Sequence, residues 1–369
     1  MFKRSSMLIM VFAVVAMVLA ACPAAVPATS TGTGDAAMSD SAAPVVVRGN
    51  LATEPPTGDP ALSSDTTSGT VINLTQLGLT ALNPDDYSAE PSLATDWSIS
   101  EDGLTWTFNV RTDVPWVKYN ADSGAVEEVT NDDGSVHYVT ANDIAYGIKR
   151  TCDPATASDY AYILYIIDGC EASVNGEGTV DDVAVTAVDD ATLEIQTVYA
   201  AGFFPQILNM TVAFAQPQWV IEEYGDLWTE AENVVSNGPY AISEWIHQDS
   251  MQMVKNPFWP GWAEDSRVGN VDVIDWVMIV EESTAFAMYD NDELDWASVP
   301  SDQIDLVFAE DSAYGDEGRI APDVCTYYYG FVTQKEAVSD VNVRRALSMA
   351  LDRKTLVEQV TKGGQIPAN

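Results

Sequence analysis

Apolar and polar residues alternate with a period of two along some stretches and of about 3.6 along others, and these periods divide most of the chain into strands and helices. Residues 93–116, LATDWSISEDGLTWTFNVRTDVPW, set Trp106, Phe108 and Val110 against Thr105, Thr107 and Asn109, with a turn at Asp102-Gly103. This predicts a hairpin whose aromatic face belongs to the core. A second hairpin is expected over 183–197, turning at Asp189-Asp190, and a short strand over 45–49. Val139-Thr140-Ala141-Asn142-Asp143 begins a helix that continues through Ile144, Ile148 and Lys149, and Phe203-Phe204-Pro205 opens another apolar segment. Strand 271–281, helix 283–293 and a strand around Leu294-Asp295-Trp296 give the β-α-β alternation of α/β lobes. Residues 51–70 are dense in Pro, Gly and Asp and read as loop.

The sharpest change of period lies in 321–360. Cys325 to Phe331 is rich in β-formers, which predicts a strand with Thr326 and Tyr328 on one face and Tyr327, Tyr329 and Phe331 on the other. Ser339-Asp340 then offers an N-cap, and Ala346, Leu347, Ala350, Leu351, Val357 and Val360 recur at helical spacing. Lys362 and Gly363-Gly364 end that long helix with a cation and a residue free to turn left-handed.

Composition bounds what such elements can build. The chain has 369 residues and is 47% hydrophobic, enough for two domains with cores of their own. Sixteen Lys and Arg stand against 56 Asp and Glu, a formal charge of −40, spread along the chain rather than gathered in a tail. Nucleic acid and anionic membrane surfaces would be repelled. At the N-terminus, Lys3 and Arg4 precede an apolar run from Met7 to Ala20, and Leu19-Ala20-Ala21-Cys22 fits a lipoprotein processing site. Residues 1–21 are therefore expected to be a signal peptide and Cys22 a lipid anchor; an ordinary secretory signal with an incidental cysteine is the alternative. Residues 22–44, rich in Ala, Ser, Thr, Gly and Pro, read as a flexible tether.

Export permits disulfides, and Cys152 and Cys170 flank the helical-looking DYAYILYIID segment. A bridge between them is expected, with free buried thiols as the alternative. The two histidines, His137 and His247, are isolated, and no nucleophile elbow, zinc motif or phosphate loop is present. Neighbouring acids such as Glu127-Glu128 and Glu281-Glu282 fit a solvated face better than a catalytic pair. The expectation is therefore no catalytic residue, no metal and no cofactor.

Several of these stretches together resemble a known family. C-T-Y-Y-Y at 325–329 with D-V-N-V-R-R-A-L-S-M-A-L-D-R at 340–353, the 93–116 hairpin, D-P-A-T-A-S-D-Y at 153–160, N-G-P-Y at 237–240 and K-N-P-F-W at 255–259 are similar to the oligopeptide-binding proteins of ABC importers, within the family 5 extracellular solute-binding proteins. The resemblance implies a two-lobed, periplasmic-binding-protein-like α/β fold with an extra domain, most of the second lobe being absent from these residues. Residues 45–76 and 218–324 would form a discontinuous first lobe, 77–217 the extra α/β subdomain, and 325–369 the start of the second lobe, with 325–331 crossing past the ligand. It also implies an oligopeptide ligand held near Ser64, Asp65, Thr66, Tyr160, Asn237, Gly238 and Tyr328, with Tyr327 and Tyr329 left to core packing. Surface turns at 64–66 and a structural Tyr160 are the plain alternatives. Cys325 would pair beyond residue 369, and the acid that captures a peptide amino terminus would also lie there.

This chain departs from the pattern at Gly58, Asp159, Val332-Thr333 and Ala337-Val338. It also carries an insertion over 117–138, whose turns at Asp122-Ser123-Gly124 and Asn131-Asp132-Asp133-Gly134 predict an extra hairpin; the acidic turn lacks EF-hand spacing. The implied partners are the importer's permease subunits and, through the anchor alone, the membrane. The protein would be a monomer without nucleic acid. A dipeptide, an oligosaccharide or a nickel chelate as cargo, a secreted hydrolase, and a surface adhesion module are the alternatives.

Overall fold

The computed structural model describes residues 43–264, 269–315, 317–321 and 325–368. The signal segment and Cys22 lie outside the described residues. In chain order the first strands are β1 (Val46–Asn50), β2 (Thr80–Leu82), β3 (Ala89–Pro91), β4 (Ala94–Ile99), β5 (Thr105–Val110), β6 (Val117–Asn120) and β7 (Ala125–Glu128). They are followed by β8 (Val185–Asp189), β9 (Thr192–Gln196), β10 (Tyr240–Ile246), β11 (Ser250–Lys255) and β12 (Val273–Val277). Two four-stranded sheets result, one in the order β1-β12-β11-β10 and one in the order β4-β5-β9-β8, with β2-β3 and β6-β7 as separate hairpins.

The second sheet is built from the two hairpins that alternation predicts. Trp106 lies opposite Ile195 and Phe108 opposite Leu193, so the apolar half of each strand shares one face. That face is buried under helix α2 (Ala141–Thr151), whose Ile144 and Ile148 are fully enclosed. The helix starts where its sequence provides a capping box: the Thr140 backbone N–H and hydroxyl both donate to the Asp143 carboxylate, at 2.8 and 3.0 Å. Gly147 lets α2 press against the chain beside it, since a Cβ there would stand 2.1 Å from the Phe214 carbonyl oxygen. A disulfide joins Cys152, just past the helix, to Cys170, and both residues are buried in this core.

The first sheet joins β1 and β12 in parallel and the rest antiparallel. One face buries Ile242, Met251, Met253 and Ile274 against Val71 of helix α1 (Thr66–Thr75). Gly49 is required within β1 because the Trp276 ring lies across it, 2.5 Å from where a Cβ would sit. A smaller cluster of Val117 and Val126 with Ala241 packs the β6-β7 hairpin of the insertion against this sheet. The extra hairpin thus forms as predicted, with Gly124 and Gly134 at positive φ in its two turns.

Four sequence expectations fail. Residues 66–70, expected as loop, open helix α1, because the Asp65 carboxylate caps it by accepting from the Ser68 N–H. No strand forms at 294–296. Instead the Asp295 N–H donates to the Arg48 carbonyl at 2.9 Å while its carboxylate takes the Arg48 N–H and guanidinium, so a side chain occupies the outer edge of β1 where a ladder was expected. No strand forms over 325–331 either, and Tyr327 and Tyr329 are exposed rather than packed in a core. A strand's stability comes from its neighbours, and among the described residues none lies alongside. The long helix also breaks. Asp340 caps Val341–Ala350, accepting from the Asn342 N–H at 2.7 Å, but Leu351 is extended and a short second helix restarts behind Asp352. With no residue of 341–350 buried, helix propensity alone does not carry the segment through.

Replacing both Cys152 and Cys170 by Ala should lower unfolding stability by about 3 kcal/mol, as expected for releasing a closed loop of this length. Urea denaturation checks it.

Candidate functional site

Five of the seven residues expected near a ligand lie at the two ends of α1. Ser64 and Thr66 are exposed at its start, and half-buried Asp65 between them caps the helix by accepting from the Ser68 N–H at 2.9 Å. Asn237 and Gly238 meet its other end: both N–H groups donate to the Thr75 carbonyl, at 3.1 and 2.9 Å, and the Leu77 N–H donates to Asn237 Oδ1 at 2.8 Å. A ten-residue helix separates the two groups by about 15 Å. Asn237 is fully buried with no partner for its Nδ2, so its contacts are those of a knot between α1 and β10. Gly238 belongs to the same knot, since a Cβ there would stand 2.7 Å from the Thr75 carbonyl carbon.

Tyr160 is half-buried against the core of the second sheet, its ring edge-on to Tyr162 at 5.7 Å. Tyr328 is 78% exposed. Tyr327 and Tyr329 beside it stack edge to face at 5.8 Å, and Cys325 is an exposed free thiol. Residues 325–331 make no backbone hydrogen bond to any described strand. Their donors and acceptors therefore remain open to an extended partner.

Sequence reasoning missed how the loop before α1 is held. Glu54 accepts from Trp245 Nε1 at 3.1 Å, the Gln248 N–H at 2.5 Å and His247 at 2.7 Å, and Glu230 holds the other ring nitrogen of His247 at 3.0 Å. Asp59 is bound by Arg150 and by Trp228 Nε1. Both acids of the Glu54–Pro60 stretch are thus engaged by the fold itself. The available signal was the scarcity of cations: with only 16 in the chain, a cation beside a buried helix end deserves a named acid. Two hydrogen bonds that the His247 ring donates, first to Glu54 and then to Glu230, raise its pKa above the ordinary 6.5. An apolar groove of about 430 Å³, lined by Val47, Leu74, Val271, Ile274 and Trp276 among others, involves none of the expected ligand residues. Among the described residues no cluster of His, Cys, Asp and Glu could hold a metal, and no helix is long and apolar enough to cross a membrane.

Two four-stranded sheets, each with its own core and a covering helix, fit part of a two-lobed α/β binding-protein fold. The family model for bacterial extracellular solute-binding proteins, family 5, matches residues 88–369, and the chain belongs to that family. It is 32% identical over 367 residues to the oligopeptide-binding protein OppA of Bacillus subtilis, covering 99% of this chain and 63% of the relative. It is 32% identical over 320 residues to the dipeptide-binding protein DppE of the same organism, covering 87% of this chain and 54% of that one. The solved structure of Haemophilus influenzae OppA in complex with the peptide RPPGFSPFR superposes with a TM-score of 0.75 at 25% identity, over 87% of this chain and 59% of that structure. The chain therefore spans between half and two thirds of the length of these relatives.

Gly238→Ala should cost about 1–3 kcal/mol, the usual range for forcing atoms into packed backbone, read as a lower denaturation midpoint. The raised His247 pKa makes its stabilisation complete below about pH 6.5 and lost as pH rises through the higher folded value. Because His247 is half exposed, the total is below about 1 kcal/mol. Denaturation midpoints between about pH 5.5 and 9 should fall more for the native chain than for His247→Gln.

Proposed function

We propose that this chain is the substrate-binding component of an ABC importer, anchored through a lipid on Cys22, that captures oligopeptides outside the membrane and delivers them to the permease. It works as a monomer and catalyses no reaction. Residues 45–76 and 218–324 serve as the first lobe, 77–217 as the extra subdomain and 325–369 as the entry to the second lobe. The division is supported by the separate sheets, since β4, β5, β8 and β9 all fall within 77–217 while β1, β10, β11 and β12 fall within the first-lobe segments.

The observation that carries the reading is the unpaired backbone of 325–331 beside exposed Tyr328. A receptor for peptides of many sequences must use what all peptides share, which is the extended main chain, and a segment with free donors and acceptors can supply the matching ladder. Ser64, Asp65, Thr66 and Tyr160 are the further side chains proposed to line the groove, with Asn237 and Gly238 supporting its wall. The family membership and the peptide named with the Haemophilus structure support the same cargo. A dipeptide is the second reading, favoured by the equal identity to DppE.

A thermal-shift screen of the full-length chain tests the cargo. Peptides longer than two residues at about a hundred times their Kd should raise Tm by roughly 5–10 °C, whereas oligosaccharides and nickel chelates should not. A rise with dipeptides alone would select the second reading. No rise with any peptide would defeat both.

A further inference from the structure

The loop between β1 and α1 reaches across to the layer of the second sheet at one point, Asp59. Its carboxylate receives both arms of the Arg150 guanidinium, Nη1 to Oδ1 at 2.8 Å and Nη2 to Oδ2 at 2.6 Å. Trp228 Nε1 adds a third donor at 3.1 Å and the Ala61 N–H a fourth at 2.9 Å. Arg150 Nη1 also reaches Gln216 Oε1 at 2.8 Å. Three separate segments of chain thus converge on one carboxylate, the 57–62 loop, the end of α2 and the stretch before β10, and a fourth, at Gln216, is tied in through Arg150.

The pair is almost out of solvent, with side-chain exposures of 5% for Asp59 and 16% for Arg150. A buried ion pair adds little net stability over an apolar contact of the same shape, but its bidentate geometry fixes position and orientation. What it positions follows from the sequence. Ser64 is five residues beyond Asp59, and Tyr160 is ten beyond Arg150. We propose that the Asp59–Arg150 fork is a positioning clamp that holds the 63–66 loop in register with the 152–160 segment, so that the peptide groove is formed before the ligand arrives. The clamp touches no ligand itself. It rests on the peptide-binding reading, and its effect on affinity comes from sparing the ligand the cost of ordering that loop.

The test uses the full-length chain with Arg150→Lys, which keeps the charge and loses the fork, and Trp228→Phe, which loses the indole N–H together with part of a buried ring. Amide hydrogen exchange without ligand is read over 61–68, and peptide affinity by calorimetry. Arg150→Lys should speed exchange over 61–68 by about tenfold, with β4 and β5 still protected, and Trp228→Phe should speed it by a smaller factor. Peptide affinity should fall about tenfold in Arg150→Lys, while Phe108→Leu, chosen to lower stability elsewhere in the core, should leave affinity within about twofold. Unchanged exchange in both variants overturns the clamp, as does unchanged affinity in a loosened Arg150→Lys. If Arg150→Lys does not fold, exchange over 61–68 in Trp228→Phe beyond that seen in Phe108→Leu decides. If the native chain takes no peptide, the cargo reading fails while the exchange data still settle whether the clamp holds the loop.

Discussion

One buried carboxylate constrains the rest of the architecture. The two sheets have separate cores, and the Asp59 side chain, from the loop beside the first, is gripped by an arginine from the helix that covers the second. Desolvating an acid costs several kcal/mol unless every lone pair finds a donor, so this loop has few alternative paths once Arg150 and Trp228 are in place. Glu54 is restrained in a similar but wetter way by Trp245, Gln248 and His247. Beyond those two anchors the chain turns and delivers Asp65 to the start of α1.

That arrangement changes how the acidity of the protein is understood. A net charge of −40 suggests a uniformly solvated acidic coat, yet Asp59 in the fork and Asp143 in the capping box of α2 are internal fittings, and even the exposed Asp295 is tied to the edge of β1. Burial pushes the Asp143 carboxyl above the usual carboxylate range, although hydrogen bonds from Thr140 oppose the shift. With so few cations available, the fold leans on backbone and indole N–H groups to satisfy its inward-facing carboxylates.

Elements stabilised by their own periodicity and caps were legible in the sequence. Trp106 and Phe108 alternate with Thr and Asn whichever neighbour the strand finds, and the Thr140–Asp143 cap is local. Elements that depend on distant partners were not. Tyr327 and Tyr329 have the composition of a strand but, among the described residues, no adjacent strand to complete it, and Leu351 interrupts a helix that buries none of its residues there. The candidate site divides in the same way. Ser64, Asp65 and Thr66 were legible as residues of a Pro- and Asp-rich loop, but not as the start of a helix, because the Asp65 cap opens α1 inside a stretch whose composition reads as loop. The burial of Asn237, by contrast, arises from a contact across 160 residues that no local pattern announces.

A bound peptide is expected to lie along the open backbone of 325–331 and past the loop at 64–66. Photo-crosslinking of the full-length chain with a peptide carrying a reactive group at a central residue tests this most directly. Labels mapping to 62–68 and 325–331 would agree with the account. Labels confined to the apolar groove of Val47, Leu74 and Trp276, with none in either segment, would contradict it.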